Sequence, residues 1–149
     1  MNLAIGQNAP NFEAKNQKGE TIHLNQFAGK KLVLYFYPKD DTPGCTAEAC
    51  SLRDNYQSLL NQGYVILGVS PDNEKKHQKF IDKYELPFDL LADTDNTIAL
   101  AYGVWVEKSM YGKKYMGIAR TTFIIDEAGK IAEIIEKVDT KNHATQILG

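Results

Sequence analysis

The chain holds two cysteines in 149 residues, Cys45 and Cys50, and the residues around the first point to thiol chemistry. The segment leading to it reads Pro38-Lys39-Asp40-Asp41-Thr42-Pro43-Gly44-Cys45. Thr42 is a natural N-cap, and Pro43 suits the first helical position because its ring presets φ and leaves no unpaired N–H. Cys45 then falls at the third helical position. Free backbone N–H groups and the positive end of the helix dipole surround that place and favour the thiolate, the nucleophilic form of cysteine. Two buried thiols acting as small hydrophobes are the plain alternative. The cap, the proline and the glycine just ahead of Cys45 outweigh it.

A reacting thiolate needs a cation beside it, and the chain has two arginines, Arg53 and Arg120. Arg53 lies about 12 Å further up the same helix. That place suits a solvated pair with Asp54 or a contact to a neighbouring element. Arg120 opens the apolar strand Thr121–Ile125, whose fixed backbone can hold a guanidinium over a strand-end pocket. It is the first choice for the cation.

Cys50 is no passive staple. Five residues of α-helix rise about 7.5 Å and leave the two side chains about 140° apart around the axis, with Cβ atoms on the order of 10 Å apart. A disulfide needs about 3.8 Å. If these cysteines pair, the first turns must unwind, so the reduced and oxidised forms differ in structure. The lack of a Cys-x-x-Cys motif argues against an ordinary disulfide reductase. His23, His77 and His143 are scattered and no second cysteine pair completes a tetrahedral site, so no metal is expected. None of the three histidines has the context of a Cys–His hydrolase.

The composition is that of an ordinary globular chain, 43% hydrophobic and 24% charged, and its length suits one domain over 1–149. A net charge of −2 leaves no basic footprint for nucleic acid or anionic membrane. The apolar runs Leu32–Tyr37 and Tyr64–Val69 are too short to span a bilayer. The first residues lack a basic flank and a sustained apolar core, so no signal peptide is expected and a cytoplasmic setting follows.

These residues need elements to position them. Short strands are expected near Phe12–Ala14 and Thr21–Leu24, and buried strands at Leu32–Tyr37 and Tyr64–Ser70. The stripe Leu52, Tyr56, Leu59, Leu60 marks one amphipathic helix ending at Gly63. Ser70-Pro71-Asp72 opens a second helix to about Tyr84, with Phe80 and Ile81 inward. A strand at Phe88–Leu91, a helix at Thr97–Tyr102 and a long loop over Val106–Gly117 follow. Strands Thr121–Ile125 and Ile131–Lys137 form a hairpin about Asp126-Glu127-Ala128-Gly129, and a last helix starts near Lys141. This order implies an α/β architecture, a mixed central β-sheet flanked by helices on both faces, which resembles the thioredoxin-like fold. In such sheets chemistry gathers at the carboxyl ends of central strands, and the chain beyond Tyr37 leads from one to Cys45.

At these residues the sequence resembles the peroxiredoxins, in particular their bacterioferritin-comigratory, or Q-type, subgroup. Pro38, Thr42 and Cys45 match the family's Pro-x-x-x-Thr-x-x-Cys signature, and the run from Thr42 to Cys50 matches the subgroup's own pattern. Gly68-Val69-Ser70-Pro71-Asp72, Tyr102-Gly103-Val104-Trp105 and Arg120–Asp126 fall in the expected order. The resemblance implies a thiol peroxidase for hydrogen peroxide and small organic hydroperoxides, with no metal or organic cofactor. Cys45 would attack the O–O bond and become a sulfenic acid. Thr42 would hydrogen-bond the thiolate and peroxide, Pro38 would shield the sulfur, and Arg120 would stabilise thiolate and substrate. Cys50 would resolve the sulfenic acid into an intramolecular disulfide, which thioredoxin or a similar dithiol reduces. Resolution within one chain makes a monomer the expected state. Glu48 is read as a helix-surface carboxylate and Trp105 as packing near the site. Two rivals share the same residues: a redox sensor whose unwound helix recruits a partner, and a thioredoxin-like reductase.

Overall fold

The computed structural model describes residues 3–149. Its main sheet has seven strands: β1 (Glu13–Asn16), β2 (Thr21–His23), β3 (Lys31–Phe36), β4 (Tyr64–Ser70), β5 (Asp89–Ala92), β8 (Thr121–Ile125) and β9 (Ile131–Ile135). They lie in the order β2-β1-β5-β4-β3-β8-β9. β3, β4 and β5 run parallel, while β1, β8 and β9 pair antiparallel, so the sheet is mixed and thioredoxin-like as the sequence implies.

Alternation along β3 explains its unbroken apolar run. Leu32, Leu34 and Phe36 enter a core on one face with Leu67, Leu91, Phe123 and Ile125. Val33 and Tyr35, with Tyr37 just beyond, enter the other core with Ile66, Leu90 and Ile124. That second core is roofed by α1 (Pro43–Asp54), α2 (Tyr56–Asn61), α3 (Glu74–Tyr84) and α5 (His143–Leu148). α4 (Thr97–Ala101) covers the first. A strand hidden on both faces needs apolar side chains at every position.

Four expectations are corrected. The stripe read as one helix is two, broken at Asn55, whose side-chain amide donates to the Ser51 carbonyl; Leu60 faces solvent. The helix after β4 begins at Glu74, because the Asn73 side chain caps it by accepting from the Lys76 N–H. The last helix begins at His143 rather than near Lys141. The segment Val106–Gly117 is no loop: β6 (Trp105–Met110) and β7 (Lys113–Ile118) form a hairpin. Its turn, Tyr111-Gly112, has positive φ at both residues, the geometry that matches the twist of paired strands. The strands were hidden because their side chains are mostly polar and exposed.

Candidate active site

The carboxyl end of β3 delivers the chain into the segment 38–42, which two anchors fix against α3 and the start of the helical layer. Asp40 accepts from Tyr37 Oη at 2.5 Å and pairs with His77 Nδ1 at 2.6 Å, while its backbone N–H donates to Asp72. His77 Nε2 lies 2.8 Å from the Leu91 carbonyl, so both ring nitrogens of this buried histidine are engaged. Asp72 is held in turn by Ser70 Oγ. These bonds account for the gathering of Asp40, Asp72 and His77 ligand atoms within 4.8 Å of one another. The next residue, Asp41, sits in the left-handed region, an unfavourable place for a side chain. Lys83 Nζ and Tyr84 Oη hold its carboxylate at 2.8 and 2.7 Å and keep it below the ordinary carboxylate range.

α1 starts at Pro43, so Cys45 stands at the third helical position and is buried, 1% exposed. Arg120, at the junction of β7 and β8, turns its guanidinium over this helix start. Nη2 donates to Cys45 Sγ at 3.3 Å, and Nη1 donates to Glu48 Oε1 at 2.7 Å. Burial pulls the Arg120 pKa down, but Cys45 and Glu48 beside it raise it on balance, so the cation is held firmly. Burial lowers the pKa of Lys108 on β6, and the charge of Arg120 adds to the lowering.

Of the residues expected at the site, Cys45 and Arg120 are in direct contact. Cys50 lies further along the same unbroken helix, partly exposed, and both thiols are free. Pro38 and Thr42 are each partly exposed. Thr42 has the extended backbone of an N-cap, but its hydroxyl donates to the Lys39 carbonyl at 2.9 Å and forms no cap bond. Arg53 turns away, donating to Asp54 at 2.9 Å and to the Tyr84 carbonyl at 2.8 Å. Trp105 packs against the first core.

Glu48 corrects the reading of a surface carboxylate. It is fully buried, one turn from Cys45 on the same face of α1, with Oε2 3.4 Å from His143 Nε2. Burial pushes its carboxyl up to about 7, against the opposing pull of Arg120. His143 is likewise buried and bonded to Thr122 Oγ1 at 2.8 Å; its pKa is lowered, mainly by burial. The i, i+3 spacing of Cys45 and Glu48 was the available sign that both face one way. Nothing local marks His143, which reaches the site only because α5 docks on α1.

Over residues 5–134 the chain matches the AhpC/TSA family. It is 49% identical to peroxiredoxin Bcp of Bacillus subtilis over 148 residues, covering 99% of this chain and 94% of that protein. Peroxiredoxin Bcp of Escherichia coli K12 is 44% identical over 146 residues, 98% of this chain and 94% of that one. Among solved structures, a PrxQ cysteine variant from Xylella fastidiosa superposes with a TM-score of 0.93 at 32% identity, covering 99% and 94% of the two chains. The bacterioferritin comigratory protein of Xanthomonas campestris does so with a TM-score of 0.90 at 35% identity, covering 97% and 95%.

Proposed function

The chain belongs to the AhpC/TSA family and is a peroxiredoxin, a thiol peroxidase, and from that premise we propose that Cys45 attacks the hydroperoxide and Cys50 resolves the product. The observation that carries this reading is the Arg120 guanidinium donating to Cys45 Sγ at 3.3 Å, at a helix start that also offers free N–H groups. The Cys45 thiolate attacks one peroxide oxygen. The S–O bond forms as the O–O bond breaks, and the leaving oxygen departs with a proton as water or alcohol. Sulfur is oxidised to sulfenic acid and the peroxide is reduced by two electrons. Arg120 stabilises the thiolate and the charge that develops on the leaving oxygen, held in place by Glu48. In this reading Pro38 shields the sulfur, and the Thr42 hydroxyl leaves the Lys39 carbonyl to donate to the peroxide.

The Cys50 thiolate then attacks the Cys45 sulfenic sulfur, expelling hydroxide, which leaves as water. Because α1 holds the two residues apart, its first turns unwind for this step. Thioredoxin or a similar dithiol supplies two electrons to restore both thiols. Hydrogen peroxide and small organic hydroperoxides are the substrates. The alkyl peroxide reduction activity of the Xanthomonas campestris relative supports the organic ones. Both cysteines lie in one chain and one domain, so the working unit is a monomer, placed in the cytoplasm where dithiol reductants act. No described helix is long and apolar enough to cross a membrane.

A coupled assay with thioredoxin, its reductase and NADPH tests the reading. Cys45→Ser abolishes peroxide consumption. Cys50→Ser keeps the first turnover and stops or slows cycling. Sustained cycling by Cys45→Ser overturns the assignment.

A further inference from the structure

Behind Arg120 the buried acid Glu48, which holds that arginine, lies beside a buried base, His143, that the reaction above does not use. We infer that Glu48 and His143 hold one proton between them, which keeps this pair neutral and leaves the charge of Arg120 to Cys45. His143 is thereby a positioning residue for peroxide reduction. The inference deepens the reading above, in which Arg120 serves Cys45.

The hydrogen bonds fix the histidine ring. Gln146 donates through Nε2 to the Lys137 carbonyl at 2.9 Å, and its Oε1 accepts from the Asp139 backbone N–H at 2.9 Å. That amide orientation leaves Oε1 as an acceptor for His143 Nδ1 at 2.8 Å, so Nδ1 carries a hydrogen. Nε2 then meets Thr122 Oγ1 at 2.8 Å and stands 3.4 Å from Glu48 Oε2. Glu48 Oε1 is taken by Arg120, while Oε2 is buried with no hydrogen-bond partner. With Glu48 ionised and His143 neutral, the unpartnered Oε2 would keep its negative charge buried 3.4 Å from Nε2 with no hydrogen to meet it. One proton, on either atom, removes the conflict. The Thr122 hydroxyl can donate or accept, and so suits both locations.

Charge counting leads to the same place. In the attacking form, a Cys45 thiolate and Arg120 cancel. An ionised Glu48 without a compensating proton would leave a net negative charge in the buried pocket. A shared proton makes the sum over Cys45, Arg120, Glu48 and His143 zero, whether written as carboxylic acid with imidazole or as carboxylate with imidazolium. Burial drives the Glu48 carboxyl up to about 7 and the His143 imidazole down, so both buried groups favour their neutral forms. The other charged or titratable groups around them are Arg120 and Cys45, Lys108 on β6, Tyr35 on β3 and Asp139 ahead of α5. Tyr35 stays neutral, its pKa raised by burial and then by Glu48.

The test is an NMR titration of the reduced protein, with labelled histidine nitrogens and glutamate carboxyl carbons, from about pH 5 to 9. The Glu48 carboxyl carbon and His143 Nε2 are expected to respond together in one step, and Glu48→Gln removes that step from His143. In His143→Gln the new amide donates to Oε2 and favours the carboxylate. Its single-turnover peroxide reduction is expected to be about tenfold slower than wild type near pH 6 and equal to it above about pH 8. A role in packing alone would slow the reaction equally at every pH. A Glu48 carboxyl ionised throughout with a silent Nε2, or a uniform slowing, overturns the inference. If His143→Gln does not fold, the wild-type titration decides. That titration uses no peroxide, so a protein that shares the proton but leaves peroxide untouched would fail the peroxidase reading instead.

Discussion

Gly44 and Arg120 are packed so closely that a Cβ on the glycine would stand 3.2 Å from Nη2, the nitrogen that donates to Cys45. The glycine backbone is helical, so alanine fits its dihedrals and gains up to about 1 kcal/mol in helix propensity. The guanidinium must give by a few tenths of an ångström to make room. Gly44→Ala is therefore expected to unfold at the same or a higher temperature while reducing peroxide about tenfold more slowly, since small misplacements at a reacting centre are costly. Stopped-flow oxidation and a thermal melt on the same sample check both halves.

Arg120 serves two partners through two nitrogens, Glu48 from Nη1 and Cys45 from Nη2. A lysine ammonium is a point charge and cannot reproduce that fork. Arg120→Lys keeps the net charge but must abandon one partner. Peroxide reduction is expected to fall on the order of 10²-fold, the usual cost of losing one preorganised donor. The second-order rate constant of Cys45 oxidation measures it, and a rate within twofold of wild type would refute the bidentate role.

Much of this site was legible because it is local. The cap, the proline, Cys45 and Cys50 lie on one helix, and Arg120 stands out as one of two arginines at the head of a buried strand. The main strands read equally well, because burial on both faces leaves β3 and β4 almost wholly apolar. What stayed hidden depends on tertiary contact. Glu48 has the look of a surface acid until Arg120 and α5 close over it, and His143 gains its meaning from a helix docked far from it in sequence. His77 and Asp40, 37 residues apart, meet only because the segment that follows β3 comes to lie against α3. The β6–β7 hairpin lacked the apolar alternation by which strands announce themselves.

Glu48 also makes stability depend on pH. Its carboxyl titrates at about 7 in the folded chain and near the ordinary 4.5 when unfolded, so between these values the folded state binds more protons. Its contribution is full below the unfolded value and is lost as pH rises through the folded one, by about 2 kcal/mol from pH 5 to 7. His143 works oppositely. Its lowered pKa gives stability above its unfolded value that is lost as pH falls. The two slopes have opposite signs in the wild type. Glu48→Gln removes the first, so its stability should rise more steeply from pH 5 to 7 than that of the wild type. Denaturant melts at the two pH values give the comparison; parallel behaviour of the two proteins would be inconsistent with a raised Glu48.

Oxidation should undo this same pocket. Glu48 lies between Cys45 and Cys50, so a bond that draws those sulfurs together must pull it out of its burial and away from Arg120. About one and a half turns of α1 separate the cysteines and cannot remain helical with the sulfurs joined. Peroxide treatment of the wild type is therefore expected to lower the far-UV helical signal and the melting temperature, and a dithiol should restore both. Cys50→Ser forms no such bond, so its helical signal should hold through the first turnover. An oxidised wild-type protein with undiminished helix content would mean that the two cysteines do not pair within the chain, and that resolution comes from elsewhere.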